Sequence, residues 1–117
     1  MVKIYKNICI TGAGNGIGRA IAIAMSNQGY NVACADIDLK LAKDTLDLIL
    51  NNQGSGIALE TDITNTFDIK NMINKTVEEF GSIDILVNNA GVTRTSNIMD
   101  LTEKDWDWIH NLSLIHI

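Results

Sequence analysis

Residues 8–18 read Ile8-Cys9-Ile10-Thr11-Gly12-Ala13-Gly14-Asn15-Gly16-Ile17-Gly18. Three apolar residues make a short buried strand that ends at Thr11-Gly12, where the glycines turn the chain. Ile17, Ala20, Ile21, Ala24 and Met25 follow at helical spacing as one apolar stripe, and Gly29 is placed to stop that helix. A strand, a glycine-rich turn and a helix in that order make an anion cradle. Free N–H groups and the positive end of the helix dipole converge on the turn. From Gly12 the glycines are spaced GxxxGxG. The GxGxxG spacing fails, because its last position is Ile17 counted from Gly12 and Arg19 counted from Gly14. A Walker phosphate loop is excluded too, since no Lys-Ser or Lys-Thr follows.

Outward from this turn, apolar runs alternate between strand and helix periods. Val32-Ala33-Cys34-Ala35 reads as a second buried strand. Asp38 can cap a helix that carries Ala42, Leu46 and Ile49 on one face, with Gly54 and Gly56 ending it. Ile57-Ala58-Leu59 is a third strand. Asn65 or Thr64 caps a third helix with Ile69, Met72, Ile73, Thr76, Val77 and Phe80 on its face, and Gly81 stops it. A fourth strand runs from Ile83 to Val87, interrupted by Asp84. A fourth helix is expected from Thr102, with Asp105 in a capping-box position and Leu101 with Trp106 as a hydrophobic staple. The order βαβαβαβα, with continuous apolar strands, predicts an α/β fold with a parallel sheet covered on both faces. Right-handed crossovers make it a doubly wound, Rossmann-like sheet in the order 3-2-1-4. Ligands of such sheets bind at the carboxyl ends of the strands, so the chemistry is sought in 11–18, Asp36, Asp62 and 88–91.

Composition narrows the function. The chain has 117 residues, 46% of them apolar, enough for one domain with a real core. Nine basic residues against 14 acidic ones give a net charge of −5, so there is no basic stripe for nucleic acid. No apolar run approaches the roughly 18 residues of a membrane span, and no secretory signal is expected. Cys9 and Cys34 sit in apolar segments and read as reduced core thiols, in keeping with a cytoplasmic location. Two separated histidines without a CxxC give no zinc constellation.

Within the turn, Gly12 permits the tight bend, Gly16 lets backbone approach a pyrophosphate, and Gly18 allows close packing of helix on strand. Asp36 ends the second strand, 20 positions after Gly16. A carboxylate there can accept both ribose hydroxyls of an adenosine and would repel a 2′-phosphate. Its neighbours Ile37 and Asn15 are not basic, so NAD is expected over NADP. Asp38 is the better placed helix cap, which leaves Asp36 free.

At this point the sequence resembles the short-chain dehydrogenase/reductase family. Thr11-Gly12-x-x-x-Gly16-Ile17-Gly18 has the form of that family's glycine turn, Asp62-Ile63 of its adenine-contacting pair, and Asn88-Asn89-Ala90-Gly91 of its second signature. Asp105-Trp106-Asp107 is similar to the start of its fifth helical segment. The resemblance covers residues 4–111 and implies a cofactor site built from Gly12, Asn15, Gly16, Ile17, Gly18, Asp36, Ile37, Asp62, Ile63, Asn88, Asn89, Ala90 and Gly91. Asp62 can instead only initiate the turn before Thr64. Asn88 and Asn89 can tie neighbouring loops together or present backbone to the cofactor ribose. Trp106 and Trp108 read as packing residues, and Arg94 as a solvated surface residue that can also face substrate.

The resemblance implies hydride transfer between nicotinamide and an alcohol or carbonyl substrate, with Asn, Ser, Tyr and Lys as the catalytic residues. It places Tyr and Lys one helical turn apart, as Tyr-x-x-x-Lys. Tyr5 and Tyr30 are the chain's two tyrosines, and neither has Lys four positions on. Ser113 occupies the position at which the family has its catalytic Asn. The expected parent therefore has roughly 250 residues. Residues 1–111 are expected to be the N-terminal half of its dinucleotide domain, inactive alone, poorly soluble and with an open fourth-strand edge. Leu112-Ser113-Leu114-Ile115-His116-Ile117 is the translation of CTG TCT CTT ATA CAC ATC, which matches the transposon mosaic end of sequencing adaptors. A non-native tail is expected over 112–117. A parent homodimer or homotetramer is implied. A 3-oxoacyl-carrier-protein reductase using NADPH stays open as an alternative, given Gly91-Val92-Thr93-Arg94. So does a dinucleotide sensor without catalysis, since fold does not determine function.

Overall fold

The computed structural model describes residues 6–89 and the backbone of 115–116. Strands β1 (Asn7–Thr11), β2 (Asn31–Asp36), β3 (Ser55–Glu60) and β4 (Ile85–Asn88) alternate with helices α1 (Gly16–Asn27), α2 (Leu39–Asn51) and α3 (Thr66–Phe80). All strand pairs are parallel and the order is β3-β2-β1-β4-β5, in which β5 is Ile115–His116. This is the doubly wound sheet, in the 3-2-1-4 order, that the sequence pattern predicts. The order reverses between β1 and β4, so the crevice opens beside the glycine turn.

Side chains alternate across the sheet with period two, and each face has its own helices. Ile8, Ile10, Val32, Cys34, Ile85 and Val87 form one face, packed with Ala22 of α1 and Ala42 and Ile49 of α2. Cys9, Ala33, Ala35 and Leu86 form the other, under Ile69, Met72 and Ile73 of α3. The small residues of the second face let α3 settle close on the sheet. Each fully buried isoleucine contributes about 1.5–3 kcal/mol. Cys9 and Cys34 are free and buried, and burial pushes both thiols up to about 12, so neither is a nucleophile near neutral pH. Among the described residues no helix is long and apolar enough to cross a membrane.

The caps follow the sequence closely. Asp38 accepts from the Leu41 N–H at 3.3 Å, and Asn65, rather than Thr64, accepts from the Asp68 N–H at 3.1 Å. Gly81 ends α3 in the left-handed region at φ 91°.

Four expectations need correction. The buried stripe of α1 is Gly18, Ala22 and Ser26, flanked by Ile21 and Met25, whereas Ile17 is 72% exposed and Ala20 and Ala24 are exposed. The helix lies too close to the turn for a large side chain at its centre, so it rotates its small residues inward. After α2 the left-handed residue is Gln53, at φ 65°, and Gly56 lies inside β3 rather than at the helix end. β4 begins after Asp84, whose carboxylate leaves the strand pattern to bind backbone at the start of β1. The fourth-strand edge is not wholly open, because β5 pairs with Ile85 and Leu86, whose free edge groups accept another strand. The helix expected from Thr102, with Trp106 and Trp108, and residues Ala90, Gly91, Arg94 and Ser113 lie outside the described residues.

Candidate nucleotide-binding site

The carboxyl ends of β1, β2 and β4 hold the glycine turn from three sides. From β2, Ala35 accepts the Ala13 N–H at 3.0 Å and Asp36 Oδ2 accepts the Gly14 N–H at 2.9 Å. From β4, Asn89 donates its side-chain N–H to the Gly12 carbonyl at 3.3 Å and its backbone N–H to Thr11 Oγ1 at 3.0 Å. Across the turn, the buried Thr45 of α2 donates to the Ala13 carbonyl at 2.8 Å and accepts from Arg19 Nε at 2.9 Å. A turn so braced keeps its N–H groups aimed without reorganising when a ligand arrives.

Gly16 starts α1 at φ 56°, where an L side chain is strained, and a Cβ there would meet nothing within 4 Å. Among the described residues nothing fills the space beside Gly16. Asn15 holds the N-cap position with extended backbone, but its side chain caps nothing. Among the described residues the first N–H groups of α1 have no intrahelical or side-chain partner, and the positive end of the dipole adds to them. That donor set suits a pyrophosphate.

Beside the turn lies a cavity of about 190 Å³ lined by Gly12, Asp36, Ile37, Thr61, Asp62, Ile63 and Thr64. Whole-ligand pockets run to about 300–1,000 Å³, so this one takes one end of a larger molecule. Its walls combine exposed Ile37 with two carboxylates. Thr61 Oγ1 is buried with no hydrogen-bond partner among the described residues. A flat heteroaromatic group with a ribose attached fits this mixture of apolar wall and acceptors.

The expected residues do not all meet. Gly12, Asp36, Ile37, Asp62 and Ile63 share the cavity. Gly16 and Ile17 stand at the helix start, and Asn15 just before it. Gly18 is buried beneath the turn, where a Cβ would overlap the Gly12 carbonyl oxygen, so its missing side chain serves close packing of helix on turn. Asn88 accepts from Thr11 Oγ1 at 3.4 Å and Asn89 ties β4 to the turn, which is the loop-linking role. Asp36 is not free. Its Oδ2 holds Gly14 and its Oδ1 accepts the Asp38 N–H at 2.9 Å. Two amides in convergent turns attract the nearest carboxylate whatever Asp38 does as a cap.

Asp62 does initiate the turn before Thr64. Its Oδ1 accepts from the Thr64 N–H at 2.9 Å and the Thr64 hydroxyl at 2.6 Å. Those bonds, the hydroxyl first, hold its carboxyl below the ordinary 3.8. A lowered carboxyl stabilises the turn above the ordinary carboxylate range and loses that effect as pH falls through the folded value. We expect the Thr64 amide proton shift to titrate with a midpoint below that of an unstructured aspartate. A midpoint at or above 3.8 would show the turn bonds absent.

Thr45 and Arg19 lie outside the expected site residues, and Gly14 lies within the 11–18 stretch without an expected role of its own. The signal for Thr45 was present: a polar residue on the Ala42–Leu46–Ile49 face of α2 needs a buried partner. Gly14 and Arg19 carried no such mark.

A family model described as short chain dehydrogenase matches residues 6–115. The 3-oxoacyl-[acyl-carrier-protein] reductase of Staphylococcus aureus is 34% identical over 117 residues, covering 97% of this chain and 46% of that protein. An uncharacterized oxidoreductase of Thermotoga maritima is 40% identical over 102 residues, 87% of this chain and 40% of its own length. Among solved structures, a 7α-hydroxysteroid dehydrogenase complexed with NADH and 7-oxo glycochenodeoxycholic acid superposes with a TM-score of 0.74. It is 34% identical, over 92% of this chain and 42% of that one.

Proposed function

This chain belongs to the short-chain dehydrogenase family, and we propose that it forms the dinucleotide-binding half of an NAD(H)-dependent oxidoreductase for small alcohol or carbonyl substrates. The chain spans about half the length of the curated relatives it matches. The observation that carries the cofactor preference is Asp36, a carboxylate held by two backbone N–H groups on the wall of the cavity. The hydroxysteroid dehydrogenase with NADH supports the same choice. A bound nicotinamide supplies the hydride acceptor or donor. The chain's own residues supply the rest of this half. The start of α1 binds the pyrophosphate, Asp36 takes ribose hydroxyls, and Asp62 with Ile63 borders the adenine. Asn88 and Asn89 hold the turn to β4. Neither tyrosine is followed by Lys at the fourth position, so we place the general acid/base in the part of the relatives this chain does not span. On this reading the chain binds dinucleotide weakly and turns over no alcohol, since the missing acid/base assistance alone costs about 10²- to 10⁴-fold.

The test is Asp36→Ala, read by titrating NADH and NADPH separately into the chain. The substitution removes a charge-assisted acceptor and a repulsion, so the NADH-to-NADPH preference should fall by about tenfold or more, about 1.5–3 kcal/mol. NADH affinity should also fall, because Gly14 and Asp38 lose their acceptor. An unchanged preference would count against Asp36 as the selector.

A second reading is an NADPH-dependent 3-oxoacyl-carrier-protein reductase, supported by the Staphylococcus aureus relative. Asp36 opposes it, since a fixed carboxylate repels an added phosphate. Tighter binding of NADPH than NADH by the unmodified chain would favour it.

A further inference from the structure

Gly14 is the residue on which Asp36 rests. A Cβ at position 14 would stand 2.7 Å from Asp36 Oδ2, 3.0 Å from its Cγ and 2.6 Å from Leu41 Cβ. The carboxylate therefore fills the space that a side chain at 14 would need, and takes the Gly14 N–H at 2.9 Å as well. Its other oxygen holds the Asp38 N–H, while Asp38 Oδ1 holds that of Leu41. Two amides at the start of α2, where an anion would otherwise be welcome, are thus already paired with carboxylates.

We propose that Gly14 is a specificity-determining residue for the dinucleotide: its missing side chain lets Asp36 fold back onto the glycine turn, which fixes the negative charge on the cavity wall. The inference rests on the dinucleotide reading above. Gly14 acts through Asp36, so it is a positioning residue. A carboxylate pinned by two backbone donors cannot swing away to admit a phosphate on the adenosine ribose without breaking both bonds. A residue with a Cβ at position 14 forces the carboxylate off the Gly14 N–H, and the charge becomes free to move aside.

The test measures NADH and NADPH dissociation constants for the 117-residue chain as wild type, Gly14→Ala, Asp36→Ala and the double variant. Gly14→Ala should lower the NADH-over-NADPH preference by about five- to tenfold. In the Asp36→Ala background the same change should move the ratio by less than about twofold, the mark of coupled residues. A merely structural role weakens both dinucleotides by one factor, and that result overturns the inference while leaving the dinucleotide reading standing. Wild type that binds neither dinucleotide overturns both. Amide exchange in the wild type decides the matter even where Gly14→Ala does not fold. The Gly14 N–H should be as protected with NADH as without it, and should lose about tenfold or more of its protection in the NADPH complex. Equal protection in the two complexes overturns the proposal.

Discussion

Gly18→Ala should unfold this chain more than 10 °C below wild type, a loss of about 3 kcal/mol or more. Gly18 sits in the first turn of α1, where helix propensity by itself favours alanine by about 1 kcal/mol. Tertiary contact reverses the sign. A Cβ there would overlap the Gly12 carbonyl oxygen, stand 2.7 Å from the Gly12 carbonyl carbon and 2.8 Å from Asn89 Nδ2. The two Gly12 atoms are backbone and cannot swing aside, and the Asn89 amide is itself bonded to the Gly12 carbonyl. Relief requires moving the turn away from α1, which breaks the Asn89 bond to Gly12 and unties β4 from the turn. Dinucleotide affinity should fall with stability. Gly16→Ala is the comparison, because its Cβ meets nothing within 4 Å and its cost comes only from φ 56°, about 1–2 kcal/mol. Thermal unfolding of both variants separates the two causes. A Gly18→Ala protein no less stable than Gly16→Ala would falsify the close-approach assignment.

Asp84→Ala should cost about 2–4 kcal/mol while leaving the site unaltered in whatever fraction stays folded. Asp84 is buried just before β4, and its Oδ2 accepts the Lys6 and Asn7 N–H groups, each at 3.0 Å. Its own N–H donates to the Asn7 carbonyl at 2.9 Å. Asn7 then extends the bracket by donating to the Phe80 carbonyl and Ser82 Oγ and accepting from Asn31. Removing the carboxylate strands a buried donor at the start of β1, and a buried unpaired N–H pays its desolvation in full. This bracket lies at the amino ends of the strands, opposite the glycine turn. Urea unfolding should show the loss for Asp84→Ala and about half of it for Asp84→Asn, which keeps one acceptor. A change below about 0.5 kcal/mol would mean that water replaces the carboxylate without cost.

The bracket also shows how a residue can be legible and still misread. Asp84 marks an interruption in an apolar strand, and the interruption is visible in the sequence. Its partners 77 and 78 positions away are not. Asp36 was misread in the same way. Its place at the end of β2 follows from the apolar run before it. Its engagement with Gly14, 22 positions earlier, depends on how closely the turn folds over β2. Thr45 is a third case, since its polarity on an apolar face asks for a partner but does not name the Ala13 carbonyl.

Periodicity, caps and turn residues are local properties, and they alone establish the element order through the fourth strand, the parallel doubly wound sheet and the crevice beside the glycine turn. Strand alternation assigns Ile8 and Ile10 to one face and Cys9 to the other before any helix is placed, because the period of two is built into the backbone. The rotation of α1 is different. Its apolar stripe points by count to Ile17 and Ala20, yet Gly18, Ala22 and Ser26 are the buried residues. The same holds for the grip on the glycine turn, which comes from β2, α2 and β4 together. Both are settled by contacts between segments far apart in the chain, where backbone meets backbone at a few ångströms and only the smallest side chain fits. Hydrophobic pattern carries no information about such distances, because it records which residues prefer burial and not how closely two surfaces approach.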